Sequence, residues 1–288
     1  MHIDEPTRES CPYCHYIADP YFVIHMRHYF HCENCDLIFK GKKQKGYGGD
    51  LARYYENKFF TDFAYEQLDG SRHAIYSHIL DVCENETRIG KLLDVGCGCG
   101  FFLKEAMDRG WNILGMDPSA ESIALSQKML GNRTLRGLFE EFQGQDLYDV
   151  ITMINTLDHT LEPWINIQKA ASLLRQQGLL FLRFPNGGLH SRLIKFFKTI
   201  NCDLYFSSVL VFHEYSFTSK FIGRVLIDNG FSNITIKNSP ASGGHPASCL
   251  LKSIAGIIAL LFYALSGGKI FLGPSLEVCS RKASKATA

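Results

Sequence analysis

From about Tyr65 onward, short continuous apolar runs alternate with segments whose apolar residues recur every three or four positions. In "HAIYSHILDVC", Ile75, Ile79, Leu80 and Cys83 fall on one side of a helix. "KLLDV" has the brevity and apolarity of a buried strand, and "FFLKEAMDRG" returns to helix, closed by Gly110. "WNILGMD" is the next strand, followed by "PSAESIALSQKML", a helix with Ser119 as N-cap. "YDVITMI" is a strand, "PWINIQKAASLLRQQG" a helix running to Gly178, and "LLFLRF" a further strand. This alternation predicts a doubly wound parallel sheet that binds ligands at the carboxyl ends of its strands. The end of the chain breaks the pattern. "FTSKFIGRVLIDNGF" reads as a helix, "SNITIKNS" as a strand and, after a long insertion, "SLEVCSRK" as the last strand. With no helical crossover pattern between them, the last two strands are expected to form an antiparallel pair.

The first forty residues have a different character. Cys11-x-x-Cys14 and Cys32-x-x-Cys35 are separated by seventeen residues, enough for a short hairpin. Each pair can place two thiolates on one tight turn, and four sulfurs close a tetrahedron that suits zinc. The runs Tyr21–Ile24 and Leu37–Phe39 would supply strands. His15, His25, His28 and His31 lie close by, and one of them in place of a cysteine is the alternative ligand set. Four thiolates leave no open coordination position, so the metal is expected to be structural. The expected organisation is a zinc-ribbon-like module over 1–40, a linker and lead-in over 41–64, and the main domain over 65–288. The run from Lys40 to Asp50 holds four lysines and four glycines and reads as a solvated connector.

Charge changes the picture little. Among 288 residues the formal net charge is +1, which disfavours a dedicated nucleic-acid surface. The N-terminus lacks a signal-peptide layout, so a cytoplasmic location is expected, with ten cysteines acting as ligands or buried thiols rather than disulfides. Residues 239–274 form an apolar insertion before the last strand. Its uncharged run, Ser253 to Gly268, is short for a bilayer span. A helix covering the core or a substrate pocket is the favoured reading; weak contact with a membrane surface is the alternative, because the run is apolar nearly all round.

The chemistry concentrates in "LLDVGCGCGFFL". Gly96, Gly98 and Gly100 stand every second residue behind Asp94, unlike the Gly-x-Gly-x-x-Gly of dinucleotide folds. Asp117 follows Asp94 by 23 residues at the end of the next strand, where a carboxylate can accept from both ribose hydroxyls. With these motifs the chain resembles class I S-adenosylmethionine-dependent methyltransferases over residues 70–282. Three further segments carry the likeness: "TLRGLFEEF", "NTLDHTLEPW…LLRQQGLLFLRFPN", and "FHEYSFTSKFIGRVLIDNGF". Asp158 replaces the glutamate and Gln177 the first glycine of the family pattern.

The resemblance implies a mostly parallel, Rossmann-like sheet of seven strands. It also implies that Gly96 and Gly98 border the methionine end of S-adenosylmethionine and that Asp94 accepts from its ammonium group. Leu138, Phe139 and Glu140 would frame the adenine, and Asn155 and Thr156 would line the cofactor beside the sulfonium. His159 would face the acceptor as general base, assisted by His213, and His190 is a further candidate. Cys97 and Cys99 read as small spacers. The expected function is methylation of a small-molecule acceptor, on oxygen of a sugar, glycan precursor or other metabolite. The apolar insertion would cover an acceptor that is hydrophobic or lipid-linked. Two other readings stand beside it: an RNA methyltransferase that grips RNA with the zinc module and Lys40–Lys45, and a non-catalytic cofactor-binding scaffold.

Overall fold

A computed structural model describes residues 8–24, 27–41, 70–200, 214–240 and 257–284. His213 and nearly all of the 41–64 lead-in lie outside the described residues.

The main sheet has seven strands in the order β11-β12-β9-β8-β5-β6-β7. They are β5 (Lys91–Val95), β6 (Asn112–Asp117), β7 (Thr134–Arg136), β8 (Tyr148–Ile154), β9 (Leu174–Pro185), β11 (Phe231–Asn238) and β12 (Ser275–Lys282). β7, β6, β5, β8 and β9 run parallel, while β12 enters antiparallel between β9 and β11. The expected antiparallel pair is therefore present, with β12 inserted beside β9 rather than added at the edge.

Alternation along the strands loads both faces of this sheet. Leu92, Val150, Leu179 and Phe181 face α1 (His73–Glu86) and α2 (Phe101–Asp108), where Ile75, Ile79, Leu80, Cys83, Phe102 and Leu103 pack. Leu93, Val95, Ile151, Leu180, Leu182 and Phe184 face α4 (Pro163–Leu173) and α6 (Ser219–Asp228). α3 (Ala120–Leu130) starts at Ser119, whose hydroxyl accepts from the Ser122 amide at 3.2 Å. Strands with two buried faces need near-continuous apolar sequence, which is why "KLLDV" and "LLFLRF" carried no alternation.

One boundary differs from expectation. α4 ends at Leu173 rather than at Gly178, and Leu174 already belongs to β9. Leu174 is buried and paired with Tyr148, and the register then slips before Val150 meets Leu179. Gln177 takes φ 61° inside that irregularity, a left-handed conformation that stops a helix.

The N-terminal residues form a second sheet in the order β1-β2-β3-β4-β10, built from β1 (Glu9–Ser10), β2 (Ile17–Ile24), β3 (Arg27–His31) and β4 (Ile38–Lys40). Its last strand, β10 (Tyr215–Ser216), comes from the main domain and pairs antiparallel with β4. The module is thus fused to the larger fold. Tyr13 packs edge-on to Phe221 at 5.3 Å between ring centroids, and Lys40 pairs with Glu214 at 2.6 Å. α5 (Gly187–Thr199) also reaches it, through Lys195 over the Tyr21 ring.

Residues 257–265 of the insertion are helical. The expected buried cover is realised along one stripe only: Ala259 is buried and Tyr263 half-buried, while Leu260, Leu261 and Leu265 stand exposed.

Candidate functional site

The carboxyl end of β5 leads into a turn in which Gly96, Gly98 and Gly100 take φ of 76°, 52° and 83°. All three values lie in the region glycine enters without penalty. A Cβ on Gly96 would stand 2.2 Å from Thr156 Oγ1, so the backbone there passes against the end of β8. The turn is stitched to β6: the Gly96 and Cys97 amides donate to the Met116 carbonyl at 2.8 and 3.1 Å. The Gly98 amide donates to Asp117 Oδ2 at 2.9 Å, and the Ser119 amide to Asp117 Oδ1 at 2.9 Å. Each Asp117 oxygen keeps a lone pair after accepting one amide, which leaves two acceptors for a pair of hydroxyls. Burial pushes the Asp117 carboxyl above its ordinary value, against the pull of those two amides.

Asp94 is the deeper acid. It is 2 % exposed and accepts from Thr152 Oγ1 at 2.6 Å. Burial raises its pKa to about 7, with the Thr152 bond working downward and the Asp117 charge upward. The intervening thiols are unsuited to chemistry: burial pushes both Cys97 and Cys99 up. Cys97 fills space over Gly115, whose added Cβ would meet Sγ at 2.9 Å.

β8 delivers Asn155 and Thr156 to the same end of the sheet. Asn155 takes φ 53°, in the left-handed region that asparagine enters more readily than most residues, and it is held there. The holder is Arg183, which sequence reading missed. Its carbonyl accepts the Asn155 amide at 2.7 Å, and its Nη1 donates to Asn155 Oδ1 at 2.7 Å. Arg183 is 3 % exposed, and burial lowers its pKa to about 10. Its Nε donates to Ser239 Oγ at 2.9 Å, at the root of the insertion. The signal was in the sequence: one charge inside "LLFLRF", where a strand buried on both faces tolerates none without a purpose.

The other candidates divide. His159 sits in the short turn Leu157–His159 just past Thr156, with Nε2 3.9 Å from Asp158 Oδ2. His190 donates Nε2–H to the Pro274 carbonyl at 2.8 Å, and burial holds its pKa low, so its place is structural. Leu138 is exposed, whereas Phe139 is buried in the core and Glu140 accepts from Asn166 at 2.9 Å. His213 lies outside the described residues.

A family model described as a methyltransferase domain matches residues 52–236, more than half of the chain. The chain belongs to this methyltransferase family. A ubiquinone biosynthesis O-methyltransferase from Actinobacillus pleuropneumoniae is 34% identical over 116 residues, 36% of this chain and 49% of that protein. The chain thus spans about half the length of the curated relatives it matches. The plantazolicin methyltransferase BpumL, in complex with a triazolic desmethylPZN analog and SAH, superposes with TM-score 0.56 at 16% identity, over 81% of this chain and 95% of that one. A SAM-dependent methyltransferase from Archaeoglobus fulgidus gives 0.54 at 16% identity, over 78% of this chain and all of that one. At these identities the likeness shows the fold, which is that of class I methyltransferases with a cysteine cluster placed in front.

That cluster is compact. The sulfurs of Cys11, Cys14, Cys32 and Cys35 all lie within 4.8 Å of one another. Cys14 and Cys32 stand 3.4 Å apart and Cys11 and Cys35 3.6 Å, close to the ~3.8 Å edge of a tetrahedron with 2.3 Å zinc–sulfur bonds. Both turns are built alike. The Cys11 and Cys32 amides donate to the carbonyls of Tyr16 and Leu37, and His15 and Asp36, each just after the second cysteine, take φ of 60° and 67°. The donor set fits a zinc ion with no histidine needed: His31 is instead paired with Asp36 at 2.8 Å.

Proposed function

We propose that this methyltransferase-family protein transfers a methyl group from S-adenosylmethionine to a small-molecule acceptor, on oxygen of a sugar, glycan precursor or other metabolite. The observation that carries the reading is the Gly96–Gly100 turn, bonded to Asp117 on one side and rising from Asp94 on the other. It stands at the carboxyl ends of β5 and β6 in a sheet with β12 antiparallel.

When bound, S-adenosylmethionine supplies a methyl group already activated as a sulfonium. The chain's own part is to hold, orient and keep water out. In this reading Asp117 accepts from the ribose hydroxyls, and Asp94 accepts, directly or through water, from the ammonium group. Gly96 and Gly98 let the backbone approach the methionine end. Asn155 and Thr156 border the reacting end, Asn155 fixed there by Arg183. Leu138, exposed, and Glu140, half-buried, are the members of their trio with surface left for the adenine. His159 takes the proton from an acceptor hydroxyl. Cys11, Cys14, Cys32 and Cys35 would hold a structural zinc. The ion pair of Lys40 with Glu214 takes one cation away from any grip on RNA. The oxygen acceptor is in keeping with relatives named as O-methyltransferases.

Calorimetry with S-adenosylmethionine and its demethylated product tests the first half. One site per chain is expected, and Gly96→Ala, which would drive a methyl into Thr156, should abolish it. No binding by the parent protein would sink the reading. Labelled cofactor incubated with a metabolite extract then identifies the acceptor by mass.

A further inference from the structure

The helix over 257–265 is built inside out. Its protein-facing stripe is Ala259 and Tyr263, one helical turn apart. The Tyr263 hydroxyl donates to the Ile236 carbonyl at 2.9 Å, and Asn238 Nδ2 to the Ala259 carbonyl at 3.3 Å. The outward face carries Ile257, Ile258, Leu260, Leu261, Phe262 and Leu265, exposed by 46–85 %. A water-facing helix has the opposite arrangement, and a contiguous apolar face of this kind marks a docking surface.

We propose that this face seats the protein on an anionic phospholipid surface beside the mouth of the methyl-transfer site. Charge selects the occupant. No charged residue occurs from Ser253 to Gly268, Lys252 and Lys269 bracket the run, and the next acid is Glu277. Lys269 is exposed, as is Lys237 on β11. An apolar plate with a cationic rim matches acyl chains below anionic headgroups, whereas a second copy would bring lysines against lysines. No described helix is long and apolar enough to cross a membrane, so this one lies on the surface.

The helix is tethered to the catalytic end of the sheet. Asn186, just past β9, donates Nδ2–H to the Phe271 and Gly273 carbonyls at 3.2 and 2.9 Å. Arg183, which holds Asn155, also binds Ser239 at the other root of the insertion. The acceptor is therefore of the apolar or lipid-linked class, drawn from the surface on which the helix rests; this last step rests on the function proposed above.

Flotation of the full chain tests the surface without using activity. The probes are vesicles of phosphatidylcholine alone and of phosphatidylcholine mixed with phosphatidylglycerol. The protein is expected to float with the mixed vesicles and to bind the neutral ones about thirtyfold more weakly, as the exposed Lys237 and Lys269 predict. Leu260→Glu with Leu261→Glu should cut binding to the mixed vesicles at least tenfold and leave S-adenosylmethionine affinity unchanged. Leu147→Glu, on a residue 47 % exposed just before β8 at the other end of the sheet, should change neither. A parent protein that floats with neither vesicle overturns the proposal. So does a dimer in solution that the paired glutamates dissociate while vesicle binding stays absent, since the face then belongs to a second copy. Flotation without S-adenosylmethionine binding would instead strike the proposed function and leave the docking surface standing.

Discussion

Asp94 shows what burial costs and what a ligand can return. Its carboxyl, at about 7 in the folded chain against an ordinary 3.8, is raised chiefly because water is excluded from it. A raised folded pKa means that the stability contributed by the protonated acid is complete below about 3.8 and is lost as pH rises through about 7. A cationic ammonium beside the carboxylate favours the ionised form, so binding must release a proton when it starts from the protonated acid. Cofactor affinity should therefore fall about tenfold per pH unit below 7 and level off above it, with Asp94→Asn weak and flat. Calorimetry across that range checks the slope; a flat profile in the parent protein removes Asp94 from the binding role. His159 is tested differently. His159→Ala should lower turnover by about 10²–10⁴ with cofactor affinity intact, and turnover within twofold at saturating acceptor would end its claim as the base. The glycine phase was legible because a turn with three positive φ values demands glycine, and both acids stood at or near the ends of predicted strands. Arg183 showed only as a lone charge inside an apolar strand, and its partners Asn155 and Ser239, 28 and 56 residues away in sequence, did not show at all.

At the scale of elements, legibility followed how many faces were buried. β5, β8 and β12 fell where their apolar runs lay, and α1 presented the four inward residues its periodicity gave. The misplaced end of α4 came from "LLRQQG", whose long unbranched side chains favour helix locally. Tertiary context overrode that preference: Leu174 is buried in the core and paired with Tyr148. Gln177 stands where the family carries glycine and still takes the left-handed conformation a glycine would. Its amide donates to Ser284 at 2.8 Å, and Arg281 donates to its carbonyl at 3.1 Å, which holds the turn closed. The outward face of 257–265 left two readings open for another reason. An apolar run announces burial, and sequence does not say whether protein or lipid does the burying.

The molecule as a whole is less divided than its sequence. A four-cysteine module ahead of a methyltransferase domain reads as two bodies on a lysine-glycine connector, yet Cys11, Cys32 and Cys35 belong to the same buried cluster as Phe217 and Phe221. The link is specific. Thr218 caps α6 by accepting from the Phe221 amide at 3.1 Å, and the same hydroxyl donates to the Asp36 carbonyl at 3.1 Å, within the second cysteine turn. Arg224, one turn further along α6, donates to the Asn34 carbonyl at 3.0 Å. A metal that fixes the turn therefore fixes the cap of a helix in the other body. The purified protein is expected to carry one zinc per chain by elemental analysis, and Cys32→Ser should remove it. Metal loss should then lower the temperature of one shared unfolding transition, not shed a separate early one. Amide exchange should quicken in β4, in β10 and in the first turn of α6 together. Exchange that quickens only over residues 8–41 would mean that the cysteine turns fold for themselves, and that the cap on α6 survives without them.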